Sequence, residues 1–246
     1  MNTPRWNQTI KDLADRVRDK EIAKVPTDKV AVIIEPRDHE VLTDLLVWMV
    51  HLLSPRGWKF IVYCGTSNAH RVPYNFIEKR NLNKENLTIP EYNNLLTTPL
   101  FWSSLPYENV LIFQTDSVIV HPNLDEFLKY DYVGAPWNKN MKWLPKKQKG
   151  WFFSSKVDHL TGNGGLSLRR KSGMLRALRS VAYNKTNEDV YYSIHCSAYL
   201  NIPTSEISSH FSVESTFYPK PRGVHKFWIY LSKEEIEAIY SHIKTN

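Results

Sequence analysis

The chain holds only two cysteines in 246 residues, Cys64 and Cys196. Two thiols are too few for a disulfide framework and lack the spacing of a metal site, so a reducing compartment is the simpler setting. No run approaches the roughly 18 apolar residues of a membrane-spanning helix, and the opening Met-Asn-Thr-Pro-Arg-Trp carries no apolar signal core. The expectation is a cytoplasmic protein with no transmembrane segment. Internal repeats and low-complexity tracts are missing as well. So are two common phosphate fingerprints: no G-x-G-x-x-G opens a helix, and no G-x-x-x-x-G-K-S/T loop occurs. No helix-turn-helix, zinc-finger or RRM signature is present.

Aromatic and basic side chains are abundant. The 8 Trp, 13 Tyr and 10 Phe suit a site that stacks on flat rings, whether of sugars or of bases. A formal charge of +7 and a pI near 9.2 favour an anionic partner, such as nucleotide phosphates, nucleic acid or a membrane surface. With 42% hydrophobic and 23% charged residues, the composition is otherwise that of an ordinary globular protein, long enough for one large domain with a sizeable core.

The stretch 107–122 organises the rest. Residues 109–113 form a short apolar run bounded by polar residues, the pattern of a strand buried on both faces. It ends at Gln114-Thr115-Asp116, before a second apolar run at 118–120. A carboxylate is thus delivered to the tip of a central strand, the edge at which open α/β sheets bind ligands. A plain turn residue beside Ser117 would give the same pattern.

Upstream, residues 7–24 space Ile10, Leu13, Ala14, Val17 and Ile22 for an amphipathic helix across the surface. Strands are predicted at 29–35 and 58–64, with Pro36-Arg37-Asp38 as a turn and Asp38 as the cap of a helix through 53. A helical segment at 75–80, a short strand at 87–89 and a helix over 90–104 interrupted at Pro99 follow. Downstream, 131–137 reads as a strand and 138–150 as a loop. Its five lysines between 139 and 149 form either a solvated face or a lid over an anion. A strand at 166–169, helices at 171–183 and 188–200, a strand at 211–214, a loop at 223–228 and a helix at 233–243 complete the chain. Strands alternating with helices over the first half indicate an α/β fold with a mainly parallel sheet.

Gly162-Asn163-Gly164-Gly165 places three glycines in four positions. That density is entropically costly on folding, so some group must approach this backbone closely; a tight turn or bulge is the bland alternative. Asn187-Glu188-Asp189 opens a helix, where the dipole favours both carboxylates. Alternatively, one of them faces a pocket as a general base or a hydroxyl anchor. His225 and Lys226 stand in a late loop with Phe227 and Trp228 behind them.

In this order, these pieces resemble the GT-A glycosyltransferases. More narrowly, Phe-Gln-Thr-Asp-Ser, Tyr-Asp-Tyr-Val-Gly-Ala-Pro-Trp, Gly-Asn-Gly-Gly-Leu-Ser-Leu-Arg and Asn-Glu-Asp-Val-Tyr-Tyr look like a family of predicted glycosyltransferases found in bacteria and large DNA viruses. The resemblance covers about 30–228. It implies an α/β, GT-A (Rossmann-like) single domain over 29–230, with a central mainly parallel sheet flanked by helices. Residues 1–28 would be an N-terminal helical extension and 231–246 a C-terminal helix packed on the same domain.

The implied activity is transfer of a sugar from a nucleoside-diphosphate sugar, UDP being the family's habit, to a glycan, glycoconjugate or other hydroxyl acceptor. Asp116 matches the last aspartate of the D-x-D motif that holds Mn²⁺ or Mg²⁺ on the donor diphosphate. Gln114 stands where that motif has its first aspartate, a departure that removes one charge. His225 matches the C-terminal histidine that completes the metal shell, and Lys226 reaches the same diphosphate. Asp189 matches the acidic residue that deprotonates the acceptor hydroxyl in inverting enzymes. Glu35, Pro36, Arg37 and Gly65, at the first two strand tips, are expected at the donor with Gln114 and Thr115. Gly162, Asn163, Gly164, Gly165, Glu188 and Trp137 are expected at the sugar and acceptor, Trp137 packing on the sugar's apolar face. The chemistry suits these groups, because negative charge builds on the departing diphosphate and a cation, a lysine and backbone N–H groups stabilise it there.

Two other readings compete. A basic nucleic-acid-binding protein would use the net charge and the aromatic 137–156 stretch, but the charge is dispersed rather than striped, so no nucleic-acid partner is expected. A catalytically inactive sugar-nucleotide- or glycan-binding module is suggested by Gln114. Peripheral membrane contact is compatible with the positive charge, and in a viral setting the compartment would be the host cytoplasm.

Overall fold

Short apolar runs, buried on both faces, set the centre of the fold. A computed structural model describes residues 4–23, 25–138 and 160–245, so the lysine-rich stretch at 139–149, with its choice between solvated face and lid, lies outside the described residues. The strands are β1 (Lys29–Glu35), β2 (Trp58–Cys64), β3 (Glu78–Asn81), β4 (Asn109–Phe113), β5 (Ser117–Ile119), β6 (Tyr132–Gly134), β7 (Leu166–Arg170), β8 (Ser212–Val213) and β9 (Gly223–His225). One sheet runs β3-β2-β1-β4-β7-β6 and a smaller one β5-β9-β8. In the large sheet β1 to β4 are parallel, and β7 is antiparallel to both β4 and β6. The expected α/β class with a mainly parallel sheet is the one the chain adopts.

The helices are α1 (Pro4–Asp15), α2 (Leu42–Leu53), α3 (Ile89–Leu96), α4 (Pro99–Ser103), α5 (Lys171–Ser180), α6 (Glu188–Val190), α7 (Ser205–Phe211) and α8 (Lys233–Thr245). Among the described residues, none is long and apolar enough to cross a membrane. All of β1 is buried. Because successive strand side chains point to opposite faces, Ala31, Ile33, Leu111 and Phe113 enter one core with Trp6 and α2. Val30, Val32, Val110 and Ile112 enter the other, with Trp102, Met174 and Tyr191. Each fully buried aliphatic side chain contributes about 1.5–3 kcal/mol relative to exposure. Both faces of the central strands demand that contribution, which is why their sequence is a continuous apolar run.

Several local expectations are corrected. The first helix ends at Asp15 rather than at 24; Val17 and Ile22 still pack on the core, so their spacing reported burial rather than helix. Asp38 does not cap α2, whose N-cap is Val41 with no side-chain bond. It pairs instead with Arg71 at 2.6 Å. The segment expected as helix at 75–80 carries β3, whose side chains alternate between half-buried and exposed. Charges on such an edge strand oppose pairing with other chains. Residues 87–89 are not a strand: Thr88 and Glu91 form a capping box for α3, with Pro90 in its first turn. The late loop at 223–228 begins as β9, paired on both sides by β5 and β8. The helix expected over 188–200 is α6, a π-helical turn at Tyr191–His195 and a 3-10 turn at Ser197–Tyr199.

Candidate functional site

Sheet register gathers the site. β1 and β4 pair in parallel through Ile33 and Phe113, so Glu35-Pro36-Arg37 and Gln114-Thr115-Asp116 leave the sheet at the same carboxyl edge. Antiparallel pairing of Ser117 with His225 then lays the end of β9 along the turn that carries Asp116. In that turn the Ser117 N–H donates to Gln114 O at 3.0 Å, and Ser117 Oγ accepts from Gln114 N at 2.9 Å. Lys226 holds a left-handed backbone, φ 46°, uncommon outside glycine, and its N–H donates to Asp116 O at 3.0 Å. Trp6 Nε1 donates to Thr115 O at 2.9 Å. Asp116 is therefore both the turn residue and a group presented to a cleft.

The side chains at this edge form a charged cluster. Asp116 Oδ1 lies 3.3 Å from His225 Nε2, and Oδ2 lies 3.6 Å from Lys226 Nζ. The other imidazole nitrogen, Nδ1, is 3.2 Å from Glu214 Oε1. Burial alone would raise the Asp116 pKa, but His225 and Lys226 outweigh it and hold the carboxyl well below its usual range. Burial likewise opposes a charged His225, yet Asp116 and Glu214 raise its pKa to about 9.

β7 and α6 supply a second group of charged side chains. Arg169 is wholly buried and grips Glu188 through two bonds, 2.5 Å from Nη1 and 3.0 Å from Nη2. The rings of Tyr132, Tyr192 and Trp102 surround its guanidinium at 4.8, 5.7 and 5.9 Å. Asp189 points elsewhere: Oδ2 accepts from Gly164 N at 3.3 Å and Oδ1 from Val190 N at 2.8 Å. Burial first, and the Glu188 charge second, raise its pKa to about 7.

Residues of both groups line a cleft of about 490 Å³. Of the residues singled out in the sequence, Glu35, Pro36, Arg37, Gln114, Thr115, Asp116, Asn163, Gly164, Gly165, Glu188, Asp189, His225 and Lys226 line it. Gly65, Gly162 and Trp137 do not. A Cβ on Gly65 would lie 2.1 Å from Pro36 O, and one on Gly162 would lie 2.3 Å from the ring of Trp137. These glycines admit close contacts inside the protein, and Trp137, 3% exposed, is covered rather than offered to a ligand. The same holds in part for Gly164 and Gly165, where a Cβ would meet Glu188 and His225 at 2.3 and 2.2 Å.

Sequence reading missed Arg169, Glu214 and the 86–93 wall. A charged residue closing the buried Leu-Ser-Leu stretch at 166–168 was the available signal for Arg169. Tyr92 and Asn93 line the cleft, and Asn93 Oδ1 accepts from Glu188 N at 3.1 Å. Among the described residues, no three His, Cys, Asp or Glu side chains converge as a metal centre. Asp116 Oδ1 and His225 Nε2 are nevertheless buried atoms with no well-formed hydrogen bond. An oxygen and a nitrogen so placed fit a divalent cation whose remaining ligands come from phosphate or water.

Residues 76–225 match the family described as Protein of unknown function (DUF5672). The chain belongs to that family. The DUF5672 match takes in Gln114, Asp116, Gly164, Arg169, Asp189 and Glu214 and ends on His225, leaving only the β1 tip and Lys226 of the charged cleft outside it. No curated protein matches the sequence. Among solved structures, the chain is similar to the crystal structure of S. aureus TarS 1–349, at 11% identity and a TM-score of 0.49, with 89% of this chain covered. It spans 66% of that chain's length.

Proposed function

We propose that this DUF5672 protein is a GT-A-type glycosyltransferase. It moves a sugar from a nucleoside-diphosphate sugar, a UDP-sugar in the first instance, to a hydroxyl of a glycan or glycoconjugate. The observation that carries the reading is the convergence of Asp116, His225, Lys226 and Asp189 on one cleft. A diphosphate leaving group needs positive charge where its own charge develops. Lys226 supplies one such group. Asp116 and His225 would hold a Mn²⁺ or Mg²⁺ ion, which when bound neutralises phosphate charge.

Asp189, which also lines the cleft, acts as the base that accepts the acceptor's hydroxyl proton. A pKa of about 7 suits that task, because a base is most effective when its pKa lies near the working pH. Glu188 is held by Arg169 and is unavailable for it. Glu35-Pro36-Arg37 would flank the nucleoside, with the Arg37 side chain fixed by Glu35 Oε1 and Oε2 at 2.8 and 2.6 Å.

Gln114 favours a second reading, a protein that binds sugar nucleotides without turning them over, since it removes one carboxylate from the cation side. Incubating the protein with a panel of nucleotide sugars, glycan acceptors and Mn²⁺ separates the two. Release of nucleoside diphosphate coupled to acceptor modification supports the transferase. Saturable donor binding with no product supports the binding module.

A further inference from the structure

We propose that Glu214 is a positioning residue for His225, holding the proton on Nδ1 so that Nε2, on the Asp116 side of the ring, is the nitrogen that ligates an incoming divalent cation. The inference rests on the reading of the cleft given above.

Glu214 follows β8, is 4% exposed and does not line the cleft. Its Oε1 nonetheless stands 3.2 Å from His225 Nδ1 and accepts a hydrogen bond from Asn163 Nδ2 at 2.6 Å. On the far side of the same ring, Nε2 is 3.3 Å from Asp116 Oδ1. One imidazole thus spans two carboxylates, Asp116 on the cleft wall and Glu214 behind it.

The bracket around the ring is closed by the glycine segment. Asn163 Oδ1 accepts from Gly165 N at 3.1 Å, and Gly165 lies so close that a Cβ there would sit 2.2 Å from Nε2. Asn163 therefore ties Glu214 to the backbone that covers the histidine. An unneeded buried carboxylate is a costly way to fill space. A carboxylate behind a ligating histidine, by contrast, fixes the ring's tautomer and orientation and raises its basicity as a ligand. Neither imidazole nitrogen makes a well-formed hydrogen bond here, and the 3.2 Å approach of Glu214 Oε1 to Nδ1 is the contact that selects that nitrogen for the proton.

The test is Mn²⁺ titration in the presence of UDP, followed by electron paramagnetic resonance, on the wild type, Glu214→Gln and Glu214→Leu. ¹⁵N NMR of the Mg²⁺- and UDP-loaded wild type reads the His225 tautomer alongside. Glu214→Leu is expected to weaken Mn²⁺ binding by about 10- to 100-fold. Glu214→Gln, whose amide oxygen still accepts from Nδ1–H, should weaken it less, and the wild-type proton should reside on Nδ1. A folded Glu214→Leu protein that binds Mn²⁺ as tightly as the wild type, even with a lowered Tm, overturns the proposal. If that variant does not fold, a proton on Nε2 in the loaded wild type overturns it instead. Wild-type protein that binds no Mn²⁺ with UDP defeats the reading of the cleft and this inference together, whereas undiminished binding in the variants defeats this inference alone.

Discussion

Glu188 and Asp189 are neighbours in sequence with opposite surroundings: Glu188 is locked on the buried Arg169 guanidinium, while Asp189 turns to the N–H of Gly164 at the cleft. Successive residues on a helix differ by about 100° in direction, so the two carboxylates divide between structure and cleft. Asp189→Asn keeps the shape and removes the basicity. Under the transferase reading, turnover should fall by at least about 100-fold, the low end for loss of a general base, with donor affinity nearly unchanged. Rate measurements under saturating donor check this, and near-normal turnover removes Asp189 as the base.

The raised pKa of Asp189 also predicts two pH dependences. Activity that needs the carboxylate should rise as pH passes through about 7. Stability should move the other way. The folded state binds the Asp189 proton more tightly than the unfolded chain does, so this group's contribution is greatest at acid pH and is lost as pH rises from the ordinary carboxylate range through about 7. Asp189→Asn should therefore be the more stable protein at pH 8, by roughly 4 kcal/mol from linkage alone or about 8–16 °C in Tm, and this advantage should vanish near pH 4. Thermal melts of both proteins across that range measure it.

Arg169 is expected to matter through Glu188 rather than through a ligand. Arg169→Met strands a buried carboxylate, a change that costs about 3–5 kcal/mol when a buried pair loses one partner. Tm should fall by about 6 °C or more. Lysine at this position should rescue little, because its ammonium cannot reproduce two parallel bonds. The double variant Arg169→Met with Glu188→Gln should regain part of the loss, as a double-mutant cycle would show.

Trp6 couples α1 to the site. Its ring lies 5.0 Å from Trp228 and 6.5 Å from Phe227, and its Nε1 holds the Thr115 carbonyl. Trp6→Phe keeps most of the apolar contact and loses the hydrogen bond, a loss of about 1 kcal/mol in stability. Donor affinity should weaken as the Gln114–Ser117 turn loosens. Comparing melts with donor titrations separates the two effects.

The central strands were legible because two-sided burial leaves short apolar runs bounded by polar residues: 29–35, 58–64 and 109–113 are β1, β2 and β4. The edge strand at Glu78–Asn81 was not, since its exposed charged side chains follow no apolar period. The cleft followed a similar division. Asp116 was legible as a carboxylate at a strand tip, and its neighbour His225 was named through resemblance. Glu214 and Arg169 were hidden because their roles depend on contacts distant in sequence. Trp137 shows the reverse failure: an aromatic beside a glycine segment suggested a platform for a ligand, and the glycine turned out to make room for the tryptophan itself.

The central claim is that Asp116 and His225 bind a donor diphosphate through a cation, and a thermal-shift titration tests it most directly. A ligand that binds only the folded protein at 100 times its Kd adds about 2.7 kcal/mol of stability, about 5 °C or more for a chain of this size. A UDP-sugar with Mn²⁺ should raise the wild-type Tm by that amount, and the shift should shrink without the metal and disappear in Asp116→Ala. A nucleotide-sugar panel that leaves the wild-type Tm unmoved, or a full shift retained in Asp116→Ala, would contradict the account.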